Sequence, residues 1–202
     1  MARIILVRHG KTDWNQELRI QGGSSNPPLN KEGRCQAKKL ALRLNRRNIQ
    51  AIYSSPLKRA LETARLIAKH YDIEVIIEKS LREIEAGNIE GLTSAELGVR
   101  FSDLLTRDGV SYRMPKGESL IDLQQRSWKC IQRINRVHIA SEIVVVSHYF
   151  AILTIICSAL TLPVSHITQF RLNTGCINIL NLDGKEARLE LFNDTGYLAK
   201  FP

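Results

Sequence analysis

The sequence has no internal repeat and no low-complexity tract, which removes solenoids, arrays and disordered segments from consideration. It has no CxxC pair. Its four cysteines, Cys35, Cys130, Cys157 and Cys176, lie far apart, which argues against disulfides and zinc sites. Cys35, Cys130 and Cys157 fall in helical patterns and are expected to be buried thiols. No DxD pair, HExxH helix or cysteine cluster offers cation ligands, so neither a metal nor another cofactor is expected. The N-terminal apolar run, Ile4-Ile5-Leu6-Val7, is too short for a signal peptide and is broken by Arg8-His9. A second apolar stretch, residues 143–162, is interrupted by Ser147, His148 and Tyr149. Its β-branched start, Ile143-Val144-Val145-Val146, reads as a buried strand feeding a helix rather than as a membrane span. A cytoplasmic protein without a membrane partner is the expectation.

What is present is an ordinary globular balance, 44% hydrophobic and 24% charged over 202 residues, enough for one compact domain with a substantial core. The net charge is +9 and the pI near 9.6. Lys and Arg are scattered over several helix-like segments, so a solvated face is favoured over a nucleic-acid footprint and no nucleic-acid partner is expected. The same positive excess would help draw in a phosphorylated substrate.

Periodicity sets out the elements. Arg3 to Val7 reads as a buried strand, followed by turn chemistry through Gly22 to Pro28. Asn30 is placed to cap a helix with the apolar stripe Ala37, Leu40, Ala41 and Leu44. Ala51-Ile52-Tyr53 is a second strand. Ser54 or Ser55 is expected to cap the next helix, with Pro56 near its first turn and Leu57, Ala60, Leu61, Ala64 and Ala68 on its buried face. Glu74 to Ile77 gives a third strand. From Leu81 to Gly117 the pattern is irregular, with short helical pieces around Thr93 to Asp108. Ser119 opens a long helix, Ile143 to Val146 is a strand, and Phe150 to Leu160 is a helix. Cys176 to Leu182 and Arg188 to Phe192 close the chain as two strands around Asp183-Gly184. Strands alternating with helices predict an α/β fold, a three-layer sandwich with a mostly parallel central sheet flanked by helices. No boundary divides the chain, so residues 1–202 are expected to form a single domain, with residues 88–117 placed to act as a lid.

In open α/β sheets, ligands bind beyond the carboxyl ends of the strands. The first strand ends in Arg8-His9-Gly10, and the second is followed by Ser54-Ser55-Pro56-Leu57-Lys58-Arg59, with Arg59 in the first turn of a helix. Arg82 and Glu83 follow the third strand, and Ser147-His148 ends the fourth. Two histidines, two or three arginines and a carboxylate are thereby expected on one rim. Guanidinium forks match phosphate oxygens and keep their charge at any working pH. A helix N-terminus beside Arg59 adds amide donors for an anion. A neutral imidazole can attack phosphorus and split hydrolysis into two easier displacements. A carboxylic acid can protonate the leaving oxygen, then take a proton from water. With no cation site in view, the arginines would neutralise charge electrostatically. Each residue alone has a plain structural explanation: a hydrogen-bonded histidine, a solvated arginine, a surface ion pair. The weight lies on their meeting at four separate strand exits.

Leu6-Val7-Arg8-His9-Gly10-Lys11-Thr12-Asp13-Trp14-Asn15 resembles the RHG signature of the histidine phosphatase superfamily, also called phosphoglycerate mutase-like. Gln21-Gly22, Pro28-Leu29-Asn30, Gly33-Arg34-Cys35-Gln36-Ala37, Tyr53 to Ala60, Leu81-Arg82-Glu83-Ile84, Glu90-Gly91-Leu92, Gly117-Glu118-Ser119 and Val145-Val146-Ser147-His148 continue the resemblance in order. It implies that His9 is the phosphorylated nucleophile and Glu83 the proton donor. Arg8, Arg59 and His148 match the family's phosphate pocket, and Asn15 a further phosphate contact. Gln21, Gly22 and Tyr149 are additional candidates for contact with the substrate. The short link from Glu83 to Gly91 is similar to the phosphatase branch. Departures are Lys11 for a commoner Glu, Asn26 for Asp, Ala86 for an aromatic, Tyr149-Phe150 where many members carry two glycines, and Tyr197 where His is frequent. The implied activity is metal-independent hydrolysis of a small phosphorylated metabolite. A phosphoglycerate mutase-type phosphotransferase and a non-catalytic phospho-ligand sensor are the alternatives. The sequence leaves the substrate and the oligomeric state open, a homodimer included.

Overall fold

The computed structural model describes residues 2–107, 109–184 and 186–199, with the Arg107 side chain excepted. The chain order is β1 (Ala2–Arg8), α1 (Asp13–Gln16), α2 (Lys31–Leu44), β2 (Ile49–Ser54), α3 (Lys58–Ala68), β3 (Val75–Ile77), α4 (Ser94–Leu97), α5 (Phe101–Arg107), α6 (Leu120–Val137), β4 (Glu142–Ser147), α7 (Tyr149–Ala159), β5 (Ile177–Asp183) and β6 (Glu186–Asp194). The six strands form one sheet in the order β3-β2-β4-β1-β5-β6. Strands β3, β2, β4 and β1 run parallel, while β5 is antiparallel to β1 and to β6. The sheet is mostly parallel, with an antiparallel hairpin added at one edge.

The apolar runs of β1 and β4 follow from their central position, where both faces are covered. Ile4, Leu6, Ile143 and Val145 pack into the core beneath α6 and α7. The alternate residues Ile5, Val7, Val144 and Val146 face α2 and α3, against Leu40, Leu44, Ala64 and Ile67. Period-two alternation thus feeds two cores and makes the three layers. All eight strand residues have no exposed surface, and each such side chain contributes about 1.5–3 kcal/mol of burial. At the edge, β6 alternates exposed and half-buried positions. Its hairpin turns at Gly184, whose φ of +58° is a left-handed conformation that glycine adopts without strain.

One helix start follows the cap read from sequence, and another falls where its start was read. Asn30 Oδ1 accepts from Gly33 N at 2.8 Å, and Ser119 forms a reciprocal box with Asp122. The third is a correction: α3 is preceded by Leu57 at its N-cap, without a side-chain cap, and neither Ser54 nor Ser55 serves. The Ser55 hydroxyl lies 2.8 Å from His148 Nε2 and accepts from Leu57 N, ahead of the helix, at 3.3 Å. A second correction concerns Cys35, which is exposed, whereas Cys130, Cys157 and Cys176 are buried. Cys35 lies two residues before buried Ala37, a rotation of about 200° to the solvent side of α2. The helical pieces expected around Thr93 to Asp108 are α4 and α5; Asp108 itself lies outside the described residues. Residues 143–162 are divided between β4 and α7, and among the described residues no helix is long and apolar enough to cross a membrane.

Candidate active site

The parallel register of β1 and β4 sets Arg8 opposite Ser147. The next peptide continues it, with His9 N donating to Ser147 O at 3.1 Å. The residues that follow each strand, His9 and His148, are therefore neighbours, their ring centroids 5.1 Å apart. Beyond β2, Ser55 N donates to Val146 O at 3.1 Å, which brings the start of α3, and with it Arg59, to the same rim. On the other side of β4, Ser147 Oγ donates to Leu81 O at 2.7 Å and holds the segment that carries Glu83. Main-chain register brings three of these distant segments together, and the Ser147 hydroxyl holds the fourth.

His9 is 3% exposed. Its Nδ1 lies 2.7 Å from the Gly10 carbonyl oxygen, which can only accept, so Nδ1 carries the proton and Nε2 keeps a lone pair. Burial, then the charges of Arg59 and Arg8, hold its pKa well below the ordinary histidine value. The turn that aims it is tight. A Cβ on Gly10 would stand 2.5 Å from the Gly33 carbonyl oxygen at the first turn of α2, and Gly10 N donates to Thr63 Oγ1 at 3.1 Å.

Arg59 is fully buried, and its Nη1 and Nη2 donate to the carbonyls of Ser25 (2.9 Å) and Gly22 (3.1 Å). Burial lowers its pKa to about 10, so it stays charged at neutral pH; Glu83 and Glu90 pull the value back up. Arg8 donates through Nη1 to Leu172 O at 2.6 Å and lies over the Tyr149 ring, 5.1 Å from its centroid. Four buried side-chain nitrogens find no hydrogen-bond partner among the described residues: Arg8 Nε, Arg59 Nε and His148 Nδ1, and, at the other end of β1, Arg3 Nε, which faces Glu142 Oε1 at 3.4 Å. A buried polar atom left unpaired costs roughly 1–3 kcal/mol, and here three such atoms belong to residues that share one rim. Burial, then Arg59 and His9, lower the His148 pKa, so that imidazole is neutral as well.

Glu83 is 4% exposed. Oε1 accepts from Ile84 N (2.9 Å) and Ala151 N (3.2 Å), and Oε2 from Phe150 N (3.1 Å). It thereby takes up two free amides in the first turn of α7. Burial raises its pKa above the usual carboxylate value, against the opposing pull of these amides and of Arg59.

Of the remaining candidates, Asn15 and Tyr149 line a cleft of about 840 Å³ with Arg8, Lys11, Glu17–Arg19, Thr93–Ala95 and residues 171–174, whereas Gln21 and Gly22 are not among its lining residues. Asn15 Oδ1 caps back to Thr12 N at 3.1 Å. Gln21 Oε1 lies 2.9 Å from Thr12 Oγ1, and Gly22 offers its carbonyl to Arg59. The Tyr149 ring is half-buried at the cleft wall, its hydroxyl donating to Phe170 O at 2.9 Å. Phe150 is buried and packs edge-on against Phe101 of α5. Arg82, expected at the strand exits with the other arginines, is 39% exposed and pairs with Glu85. Among the described residues no group of three or more His, Cys, Asp or Glu side chains could hold a metal ion.

The sequence gives no place in the site to Thr63 or Glu90, and casts Ser55 only as a possible helix cap. Glu90 accepts from Ser25 N (2.6 Å), Ser24 N (3.2 Å) and Ala86 N (3.3 Å), and so fixes the loop whose carbonyls receive Arg59. The signal was present, because Ser55 and Glu90 lie inside the segments that carried the resemblance; what a hydroxyl or carboxylate there touches is decided by tertiary contacts.

The model of the histidine phosphatase superfamily (branch 1) matches residues 4–195. Phosphoserine phosphatase 1 of Hydrogenobacter thermophilus is 30% identical over 100% of this chain and 96% of its own. Phosphoglycerate mutase-like protein 4 of Arabidopsis thaliana is 35% identical over 98% of this chain and 87% of its own. Among solved structures, a histidine-to-alanine mutant of phosphoserine phosphatase from Entamoeba histolytica, in complex with phosphoserine, superposes with a TM-score of 0.89 at 30% identity, covering 98% of this chain and 100% of that one. With the signature residues at the strand exits and the match running through the whole sheet, this chain belongs to branch 1 of the histidine phosphatase superfamily.

Proposed function

We propose that the protein is a metal-independent phosphomonoesterase that hydrolyses a small phosphorylated metabolite through a phosphohistidine on His9. The observation that carries the reading is the pinned His9 tautomer, with its Nε2 lone pair beside buried nitrogens of Arg8, Arg59 and His148 that have no partner among the described residues. A phosphoryl group supplies the oxygens those nitrogens need. The two guanidinium groups then offset the charge that builds on the equatorial oxygens. His9 Nε2 attacks phosphorus in line while Glu83, protonated, gives its proton to the leaving alcohol oxygen. In the second displacement Glu83, now a carboxylate, takes a proton from water. The resulting hydroxide attacks the phosphohistidine and releases inorganic phosphate and free His9.

The leaving group would occupy the cleft beside Arg8. Arg8 and Arg171 at its lining favour a compact substrate with polar or anionic groups besides the phosphate, while Lys11 and Arg19 are paired with Glu32 and Glu17. The phosphoserine bound to the amoebal relative is of that kind. Asn15, Gln21 and Gly22 support this pocket, and residues 88–117, through Thr93–Ala95, serve as a lid over the cleft of a single-domain enzyme.

A turnover screen over phosphorylated metabolites, run with excess chelator, tests the reading. Release of inorganic phosphate by the wild type, undiminished by chelator and lost in His9→Ala, is expected. A strict requirement for a divalent cation would contradict it, and a stable phosphohistidine retained by the isolated protein would move the reading to a mutase.

A further inference from the structure

Glu83 stands on an irregular segment between a 3-10 turn at Lys79–Leu81 and another at Gly87–Ile89, with no helix or strand of its own to hold it. A general acid works only if its proton is delivered to the leaving oxygen, and displacement by about 1 Å can cost on the order of 100-fold in rate. Something must fix that backbone: Ser147 holds it at Leu81 O, and among the described residues one side chain bonds the main chain of residues 80, 82 and 83 together.

Arg126 of α6 reaches beneath the segment. Its Nη1 donates to Ser80 O and to Arg82 O, both at 2.8 Å. Its Nη2 donates to Glu83 O at 2.9 Å and to Glu118 Oε2 at 2.7 Å, and its Nε to Glu118 Oε1 at 2.7 Å. A guanidinium has five N–H groups, and all five are matched. Glu118 is fixed in turn: its Oε2 also accepts from Glu85 N at 3.0 Å, and its own N donates to Glu85 O at 2.9 Å. Three carbonyls and one amide spanning residues 80–85 are thus tied to one ion pair, which is largely shielded from solvent, with side-chain exposures of 23% and 12%. A surface ion pair contributes little and has no reason to turn toward main-chain carbonyls. This pair spends its fork on the peptide of the acid itself.

We infer that the Arg126–Glu118 pair is the positioning device for the general acid, setting the height and angle of the Glu83 carboxyl without touching the substrate. The inference rests on the proposed role of Glu83. Lysine cannot satisfy three carbonyls and a bidentate carboxylate from one ammonium, so Arg126→Lys keeps the charge and loses the geometry.

The test compares an alkyl phosphate, whose leaving oxygen needs a proton, with nitrophenyl phosphate, whose leaving group does not. In Arg126→Lys, kcat for the alkyl ester is expected to fall on the order of 10- to 100-fold, with KM little changed and a much smaller loss for the nitrophenyl ester. In a Glu83→Gln background the same substitution should have no further leaving-group-dependent effect, since it acts through Glu83. Equal losses for both esters, or additive losses in the double variant, overturn the inference. Glu118→Gln, which keeps shape and one acceptor, should give a weaker version of the same pattern and serves where Arg126→Lys does not fold. A leaving-group-blind Glu83→Gln in an otherwise active enzyme would instead overturn the role of Glu83 itself, so the two failures are told apart.

Discussion

His9 must be neutral to attack phosphorus and Glu83 must be protonated to help an alcohol leave, and the interior biases both groups that way. Burial disfavours the charged form of each, lowering the histidine pKa and raising that of the carboxyl. For the histidine, activity is gained as pH rises and the proton is lost, below the ordinary value of about 6.5. For the carboxyl, activity is lost as pH rises and it ionises, above the ordinary value of about 4.3. The alkaline limb of kcat/KM for an alkyl ester should therefore disappear in Glu83→Gln, with the acid limb unchanged and the rate down on the order of 100- to 10,000-fold. The substrate's own ionisation is common to both enzymes, so the difference between their pH profiles isolates Glu83; an alkaline limb that persists in the variant would contradict the assignment. At this scale the sequence was most legible. Arg8, His9, Arg59, Glu83 and His148 could be placed because strand exits of a parallel sheet share one rim. Arg82 could not be separated from them, since it follows the same strand as Glu83 and only the fold shows which of the two is buried.

The elements carry the local history of these residues. Asn30 caps as its sequence context foretells, because a cap bonds its own next turn. Ser55 does not, because α3 starts two residues later than a Ser55 cap requires, and the serine hydroxyl bonds His148 and Leu57 N. The start of α7 shows the same competition. Tyr149 and Phe150 follow His148 where two glycines are common in the family, and the two rings divide the roles that one sequence could not assign. Phe150 packs inward against Phe101, whereas Tyr149 lies under Arg8 and ties the wall of the cleft to Phe170 O. Removing that wall in Tyr149→Gly should raise kcat/KM for bulky esters relative to small ones, and lower stability by about 1 kcal/mol for the lost hydrogen bond alone. Unchanged ratios across a panel of esters, with lowered stability, would make the ring structural only.

Across the whole molecule, period-two alternation in β1 and β4 divides the core between two helical layers, and those layers leave the strand ends as the place where charge can gather. This architecture could be read from the alternation of strands and helices. The contacts of Arg126 and Glu118 could not, because a guanidinium in an amphipathic helix reads as solvated until the segment beneath it is in place. The net charge of +9 is spread over the surface, while the site itself uses two guanidinium groups, one of them with no exposed surface. The central claim, that this arrangement makes a covalent phosphoenzyme, is tested most directly by rapid mixing with a phosphorus-labelled substrate and an alkaline quench. The expected result is one acid-labile phosphate per chain, mapped to His9, formed and lost at rates compatible with turnover and absent in His9→Ala. Hydrolysis with no label on the protein, label that survives acid, or label that persists in His9→Ala would contradict it.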